Sequence, residues 1–588
     1  MQVKTTFKLH TRSLAPSRAV QNETVARKGQ QKKAAWVNSA TEGTLAKAGK
    51  TASAQHIAPV ISNARLDGEP IRTFERTGKL IAQIALDKIV GAPMLKARKF
   101  KPVDDAAFQR TLQQAQTERE HGLVRGGRAA RAAPVLPEDT SLQVTAFHMA
   151  DLGGDVTAGR LVPQMARIGQ HEGFSVVLRV DEAMVKSTRQ EMKDAGLDNV
   201  QVVGFKAEGE DHWSEDQGSI DRAGGISVPA FFHSKKKGVP DFNNAAAVYE
   251  DRLRRWYPEA RVDTAKMKWA ELISDAGFLK KFPDVTALLT VGAVGERSSQ
   301  RAVAALAAAS DAPLRIDTSH VEGGNFLSGT LPSGETYGLV GRDSVAVTRK
   351  LMERDTGQKF DERQTLDAIA DDLGLKSKNI HLVEQPGDFH VDMGMAVFAP
   401  GQVVLNDAHQ AFALQERWLR DDYAASRPRP LSPGADAKQR ARQQQKLKEW
   451  TEAGTKLESQ LKSMKARAQM VARFETRSAA DLKAAGMEVH RMAGAFMNPQ
   501  QPHKYLMNFF NGEASTNAKG ERFFITNGGD PRAEKLVIAS LLSKIPTGLK
   551  RVHFLDRELS QKSLEDLGGI NCRVRAEGVV VKGLPNAS

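Results

Sequence analysis

One cysteine, Cys572, is present among 588 residues, which excludes an intramolecular disulfide framework and a cysteine-rich metal site. A lone thiol is either a small buried hydrophobe or a nucleophile, so its neighbours must decide. Cys572 sits in LGGINCRV. Three further segments also set polar residues amid glycine or at strand ends: EDHWSEDQGS around Asp216, HVEGGNF around Glu322 and GDFHVDMGM around His390. Such places are where a rigid scaffold presents function. His390-x-Asp392 reads as a strand segment with both side chains on one face. That spacing suits a proton carrier beside a carboxylate, and equally a salt-bridged surface pair. Glu322-Gly323-Gly324 reads as a placed acid or as a turn, and Gly568-Gly569 as a hairpin or bulge before the last strand.

Regular elements begin near Leu142. Strand-like LQVTAF precedes the VPQMARI segment, then FSVVLRV, helical EAMVKSTRQEMKDAG and strand-like NVQVVGF. The same texture returns in VTALLTV, SSQRAVAALAAAS, AVFAPGQVVLND, ERFFITN, AEKLVIASLL, RVHFLDRE and the terminal CRVRAEGVVV. Strands alternating with helices predict an α/β body over residues 139–588. Within it, Leu447, Trp450, Leu457, Leu461, Met464, Ala468 and Val471 fall mostly three or four apart, which predicts a helical insertion at about 434–480.

Ahead of the body, residues 1–66 are rich in Ala, Ser, Thr, Lys and Gln, a composition that predicts a disordered basic tail. Residues 67–138 read as a helical segment and linker. Leu80, Ile81, Ile84 and Ile89 suggest an amphipathic helix over Gly78–Val90, and Arg110–Pro137 reads as the linker. Mean hydropathy is -0.42 and net charge +14. The excess of Lys and Arg lies largely in the first third, where a solvated basic tail explains it without a nucleic-acid partner. No stretch is long and apolar enough for a membrane span, and the N-terminus lacks the apolar run of a Sec-type signal.

Taken together and in order, the motifs resemble the guanidine-modifying superfamily with the pentein fold, nearest to agmatine deiminases and bacterial peptidylarginine deiminases. The likeness rests on Asp211, Trp213, Asp216 and Gly218, on Glu322-Gly323-Gly324, and on His390-Val391-Asp392 with the Pro400-Gly401 turn. It continues in Asn508-Phe509, Gly529-Asp530-Pro531 and Gly568-Gly569 before Cys572. Glu215 stands where the family has Arg, and Asn571 where it has His.

The resemblance implies five ββαβ-type units about a pseudo-fivefold axis, and a deiminase that converts an arginine-like guanidinium to a ureido product and ammonia. In that scheme Cys572 is the nucleophile, Asp216 and Asp392 hold the guanidinium, His390 moves protons and Glu322 orients it. Trp213, Gly323, Asn325 and Asn571 are expected to line the substrate site. No metal or organic cofactor is required. An amidinotransferase using the same covalent adduct is the nearest alternative. A degenerate scaffold that binds nucleic acid or another partner is a second. The Ser-, Ala- and Thr-rich start is similar to secretion and chaperone-binding segments of type III effectors. A secretion chaperone is therefore one expected partner, and location is either cytoplasmic or reached by a non-Sec route.

Overall fold

The computed structural model describes residues 71–124, 133–151, 156–206, 213–214, 216–230, 244–258, 276–281, 300–387, 389–494, 508–565 and 568–581. The described residues all belong to one compact unit, Asn63–Ser588. The expected disordered tail and the VTALLTV strand lie outside them.

The described chain opens with β1 (Arg72–Thr77), β2 (Leu80–Ile84) and α1 (Asp105–Val124). Next come β3 (Leu142–Asp151), α2 (Val156–Glu172), β4 (Ser175–Asp181), α3 (Val185–Asp194) and β5 (Val200–Phe205). Then follow β6 (Ser219–Ile220), β7 (Ile226–Val228), α4 (Asn244–Trp256), α5 (Ala276–Lys281), α6 (Gln300–Ser310) and β8 (Leu314–Ile316). β9 (Phe326–Thr330), β10 (Thr336–Gly341), α7 (Arg342–Thr356), α8 (Glu362–Asp372) and β11 (Ile380–Val383) succeed them. After these are β12 (Met395–Ala399), β13 (Gln402–Asn406), α9 (Ala408–Ala425), α10 (Ala437–Ala484) and β14 (Glu488–Met492). The chain ends with β15 (Glu513–Thr516), β16 (Arg522–Thr526), α11 (Pro531–Ala539), β17 (Arg551–Phe554), α12 (Arg557–Glu565), α13 (Ile570–Arg573) and β18 (Arg575–Val580).

One unit recurs five times in these pairings. Two strands pair antiparallel, and a helical crossover then returns a third strand parallel to the second. The sets are β6-β7-β8, β9-β10-β11, β12-β13-β14, β15-β16-β17 and, joining the two ends of the body, β18-β3-β4. The first three form separate three-stranded sheets, whereas the last two join through β15 and β3 in a nine-stranded sheet extended by β1-β2 and β5. The architecture is mixed α/β. Strand β4 is buried along nearly its whole length, as a parallel strand covered on both faces should be. On one side Val144, Phe147 and Met149 of β3 pack on Leu161, Val162 and Met165 of α2. On the other, Leu142, Ala146 and Ala150 meet Phe108 and Ala115 of α1 and the alanines of α6.

Three sequence readings change. The segment read as a helix over Gly78–Val90 is the turn and second strand of the β1-β2 hairpin followed by a single 3-10 turn, Leu86–Lys88, with Gly78 at φ +60 and β1 paired to β17. Apolar residues at Leu80, Ile81 and Ile84 fit either period, and the turn decided for strand. The Arg110–Pro137 linker is helical as far as Val124. The helical insertion is the 48-residue α10, which serves as a lengthened crossover between β13 and β14. Its Leu457, Leu461 and Met464 pack on Leu419 of α9, and Trp450 stacks on Tyr423 with ring centroids 4.5 Å apart. Asp436 and Gln439 close a capping box at its start.

Residues 136–141 cross the first strand of every unit in chain order. Leu136 N donates to Ile220 O of β6, Glu138 N to Ser328 O of β9 and Thr140 N to Phe398 O of β12. Thr516 Oγ1 of β15 then donates to Thr140 O, and Val581 N, just beyond β18, to Ser141 O. Asp139 fixes this strap: its fully buried carboxylate accepts from Ser141 N at 2.8 Å, Thr330 N at 2.6 Å and Thr330 Oγ1 at 2.8 Å. Asp139→Ala should strand three buried donors and lower unfolding free energy by about 2–4 kcal/mol, measured by chemical denaturation. A loss under about 0.5 kcal/mol would mean the strap is held by its backbone alone.

Candidate active site

In each of the five units the residues of interest lie in the short segment just before the first strand. Asp216 precedes β6, Glu322 precedes β9, Asp392 precedes β12, Asn511 precedes β15 and Cys572 precedes β18. One structural position, repeated, supplies every member of the cluster.

Cys572 is 1% exposed, on the single turn of α13, packed with Trp213 and Met393. Its Sγ lies 3.4 Å from Asp392 Oδ2, a contact a thiol proton can make. Asn511 Nδ2 reaches the same Sγ at 3.1 Å and also donates to Asp392 Oδ2. His390 and Asp392 are not on a strand but in the turns leading to β12. The Asp392 N–H donates to Gly324 O at 3.2 Å, and Gly324 N–H donates to Asp216 Oδ1 at 3.1 Å. Backbone from one unit thus aligns the acids of two others. Arg179 of β4, itself buried, steadies the Asp216 segment by donating to Ser214 Oγ at 2.7 Å and Gln217 Oε1 at 2.6 Å.

His390 Nε2 is 2.9 Å from Glu322 Oε2, while its Nδ1 stands 3.9 Å from Asp216 Oδ1 with no hydrogen-bond partner. A second buried histidine, His320, approaches Glu322 Oε1 at 3.5 Å and pairs through Nδ1 with Ala230 O at 2.7 Å. Burial pushes the Glu322 carboxyl up, but its bonds to His320 and His390 outweigh this and hold it at about 2. His390 is destabilised as a cation by burial, yet Asp216, Glu322 and Asp392 together raise it to about 9. Asp392 moves the opposite way from Glu322: burial, with Asp216 and Glu513 nearby, lifts it to about 7 despite the opposing His390 charge. The cluster holds more acids than cations. Its buried Asp392 Oδ1 and His390 Nδ1 both lack partners, and unpaired buried polar atoms are costly enough to require a reason.

The glycines are spacing devices here. A Cβ on Gly324 would sit 2.3 Å from His390 Nδ1, one on Gly568 would sit 2.1 Å from the Trp213 ring, and one on Gly569 would sit 2.5 Å from Asn511 Oδ1. Gly323-Gly324 is a turn as one reading had it, but a closely packed one, whereas Gly568-Gly569 leads into the short helix α13 and is not a hairpin. Gly324→Ala should displace His390 from Glu322 and cost about a hundredfold in any activity that uses the imidazole. Retention of full activity with an unshifted His390 resonance would remove that imidazole from the chemistry.

The structure therefore gathers Cys572, His390, Asp392, Asp216 and Glu322, with Trp213 beside the thiol. One face of Trp213 is covered by the Arg573 guanidinium at 4.5 Å. Gly323 lies at the start of the turn that carries Gly324. Two expected lining residues turn elsewhere. Asn325 donates to Ser344 Oγ at 2.8 Å at the start of α7, and Asn571 donates to Glu513 Oε1 at 2.6 Å, lining a separate cavity with Glu138 and Arg575. Asp211 and Glu215 lie outside the described residues. Asn511 was not foreseen, although the Asn508-Phe509 motif marks its loop. Gly529-Asp530-Pro531 is a helix start, with Asp530 capping α11 through Arg532 N and Pro531 in the first turn.

No model of a known protein family matches the chain, and no curated protein is similar to it. Among solved structures, one described as a "putative agmatine deiminase" is similar with a TM-score of 0.39 and 11% identity, over 77% of this chain and 100% of that one. Among the described residues, no group of three or more His, Cys, Asp or Glu side chains could hold a metal ion, and no helix is long and apolar enough to cross a membrane.

Proposed function

We propose that the protein hydrolyses the guanidinium of an arginine-like substrate, releasing ammonia and leaving a ureido product, by way of a covalent adduct on Cys572. The observation that carries this is the convergence of one thiol, one imidazole and three carboxylates from equivalent positions of four of the five repeated units, with Asn511 at that position in the fifth. The strap along residues 136–141, touching the five first strands in turn, supports an arrangement of those units about a common axis, as in a pentein.

The chemistry follows from charge. A guanidinium is planar, permanently cationic and a poor electrophile, so it needs carboxylates to fix its nitrogens and a soft nucleophile at its central carbon. Asp216 and Asp392 supply the acids, and the open Asp392 Oδ1 and His390 Nδ1 supply unclaimed hydrogen-bonding positions. The Cys572 thiolate adds to the central carbon. A C–N bond then breaks as His390 gives its proton to the departing amine, which leaves as ammonia. Water, deprotonated by the now neutral His390, adds to the resulting thiouronium. The C–S bond breaks, the ureido product departs and the thiolate returns. Glu322 holds His390 cationic for the first half. Incubation with agmatine, free arginine and an acylated arginine amide, with ammonia assay and mass measurement, tests the proposal. A mass gain of about one dalton with one ammonia released supports it. No ammonia from any of the three, with and without an amine acceptor, overturns it.

A further inference from the structure

Asn511 makes the pair of contacts that no proposed catalytic residue makes: its side-chain amide joins the thiol to the carboxylate beside it. Nδ2 is 3.1 Å from Cys572 Sγ and also donates to Asp392 Oδ2, while Oδ1 accepts the Cys572 backbone N–H at 3.3 Å. An amide nitrogen carries two hydrogens, so both donations can be made at once. The backbone that carries this amide is held in place as well. Asn508 Oδ1 accepts from the backbone N–H groups of Phe510 and Asn511, Asn508 Nδ2 donates to Met393 O at 2.7 Å, and Asn527 Nδ2 donates to Asn511 O at 2.9 Å. Asn527 Oδ1 also receives Ile570 N–H at the start of the cysteine's own turn, and Gly569 has no Cβ that would push against Asn511. Three asparagines thereby lock the loop before β15, the end of β16 and the nucleophile turn into one frame.

We infer that Asn511 is a thiol-positioning residue, which holds Cys572 Sγ against Asp392 and, by donating to sulfur, favours the thiolate. This deepens the deiminase reading and rests on it for its purpose, but not for its test. The charged groups around the thiol are Asp392 in contact, Asp216 and His390 beyond it, Glu513 behind Asn571, and Arg573 next in the chain. The carboxylates among them oppose a second negative charge, so a neutral donor aimed at sulfur is the group able to offset them without adding a cation that would repel the substrate.

Because the chain has a single cysteine, the ultraviolet absorbance of thiolate against pH, referenced to Cys572→Ser, reports this sulfur alone. Asn511→Asp keeps the shape and the Oδ1 acceptor but replaces the donor by an anion. It should lower the thiolate fraction at mid-titration by about tenfold or more while melting temperature and near-ultraviolet dichroism stay near those of the parent. Asn511→Ala should shift the titration in the same direction by less, and covers the case in which the aspartate variant fails to fold. An unshifted thiol titration in either folded variant overturns the assignment. A shifted titration in a protein that hydrolyses no guanidine leaves Asn511 in this role and removes only the deiminase reading.

Discussion

Cys572→Ala should abolish ammonia release, by roughly 10⁴-fold or more, while the protein stays folded. The expected size follows from removing the only atom able to form the adduct, since neighbouring carboxylates and imidazole cannot replace a nucleophile. The thiol is buried against Trp213 and Met393, so its loss leaves a small void and frees Asp392 and Asn511 from one contact each. That should cost on the order of 1 kcal/mol, small against a domain's total stability. Ammonia assay and thermal melting on the same preparation separate the two effects. Turnover above a hundredth of the parent's in a folded Cys572→Ala protein would sink the covalent route.

How far this site was legible follows from which of its features are local. Cys572, His390, Asp392, Asp216 and Glu322 each stand beside glycine or a strand start, and those are short-range signals that a single sequence carries. Asn325 and Asn571, expected to line the site, meet Ser344 and Glu513 instead because neighbours along a turn do not face the same way. On α13 successive residues point about 100° apart, so Cys572 meets Asp392 while Asn571 meets Glu513. Asn511 was missed for the opposite reason: asparagine is common in turns, and what distinguishes it is a sulfur 61 residues away.

The fold divides in the same manner. Alternation of strands and helices from Leu142 onward predicted the α/β body, and the helical seam predicted α10 nearly to its ends. The strap at 136–141 has no periodicity at all. Its identity lies in hydrogen bonds to residues as far off as Val581, and no local pattern encodes those. The β1-β2 hairpin was hidden because Leu80, Ile81 and Ile84 fit a helical stripe as well as a strand, and its pairing with β17 is again distant. Likewise α2 packs against α12 through Leu161 and Leu559, which only the crossover topology brings together.

The pH dependence of kcat/KM should be a bell whose limbs belong to Asp392 and His390. Binding a guanidinium needs Asp392 as carboxylate, so activity should climb as pH rises through about 7. Expelling ammonia needs a protonated imidazole, so activity should fall as pH rises through about 9. The same raised histidine contributes stability that is full below its ordinary value near 6.5 and is lost as pH rises through about 9. The substrate-free protein should therefore melt at lower temperature across that interval. His390→Gln should reduce kcat/KM by about 10²–10⁴-fold and erase the alkaline limb. It should do one thing more. The His390 charge is the largest influence holding Asp392 down, so its removal should carry the acid limb to higher pH. A residual rate with the acid limb unmoved would show that the imidazolium and Asp392 do not share a field, and that the convergence of these side chains is not the working site.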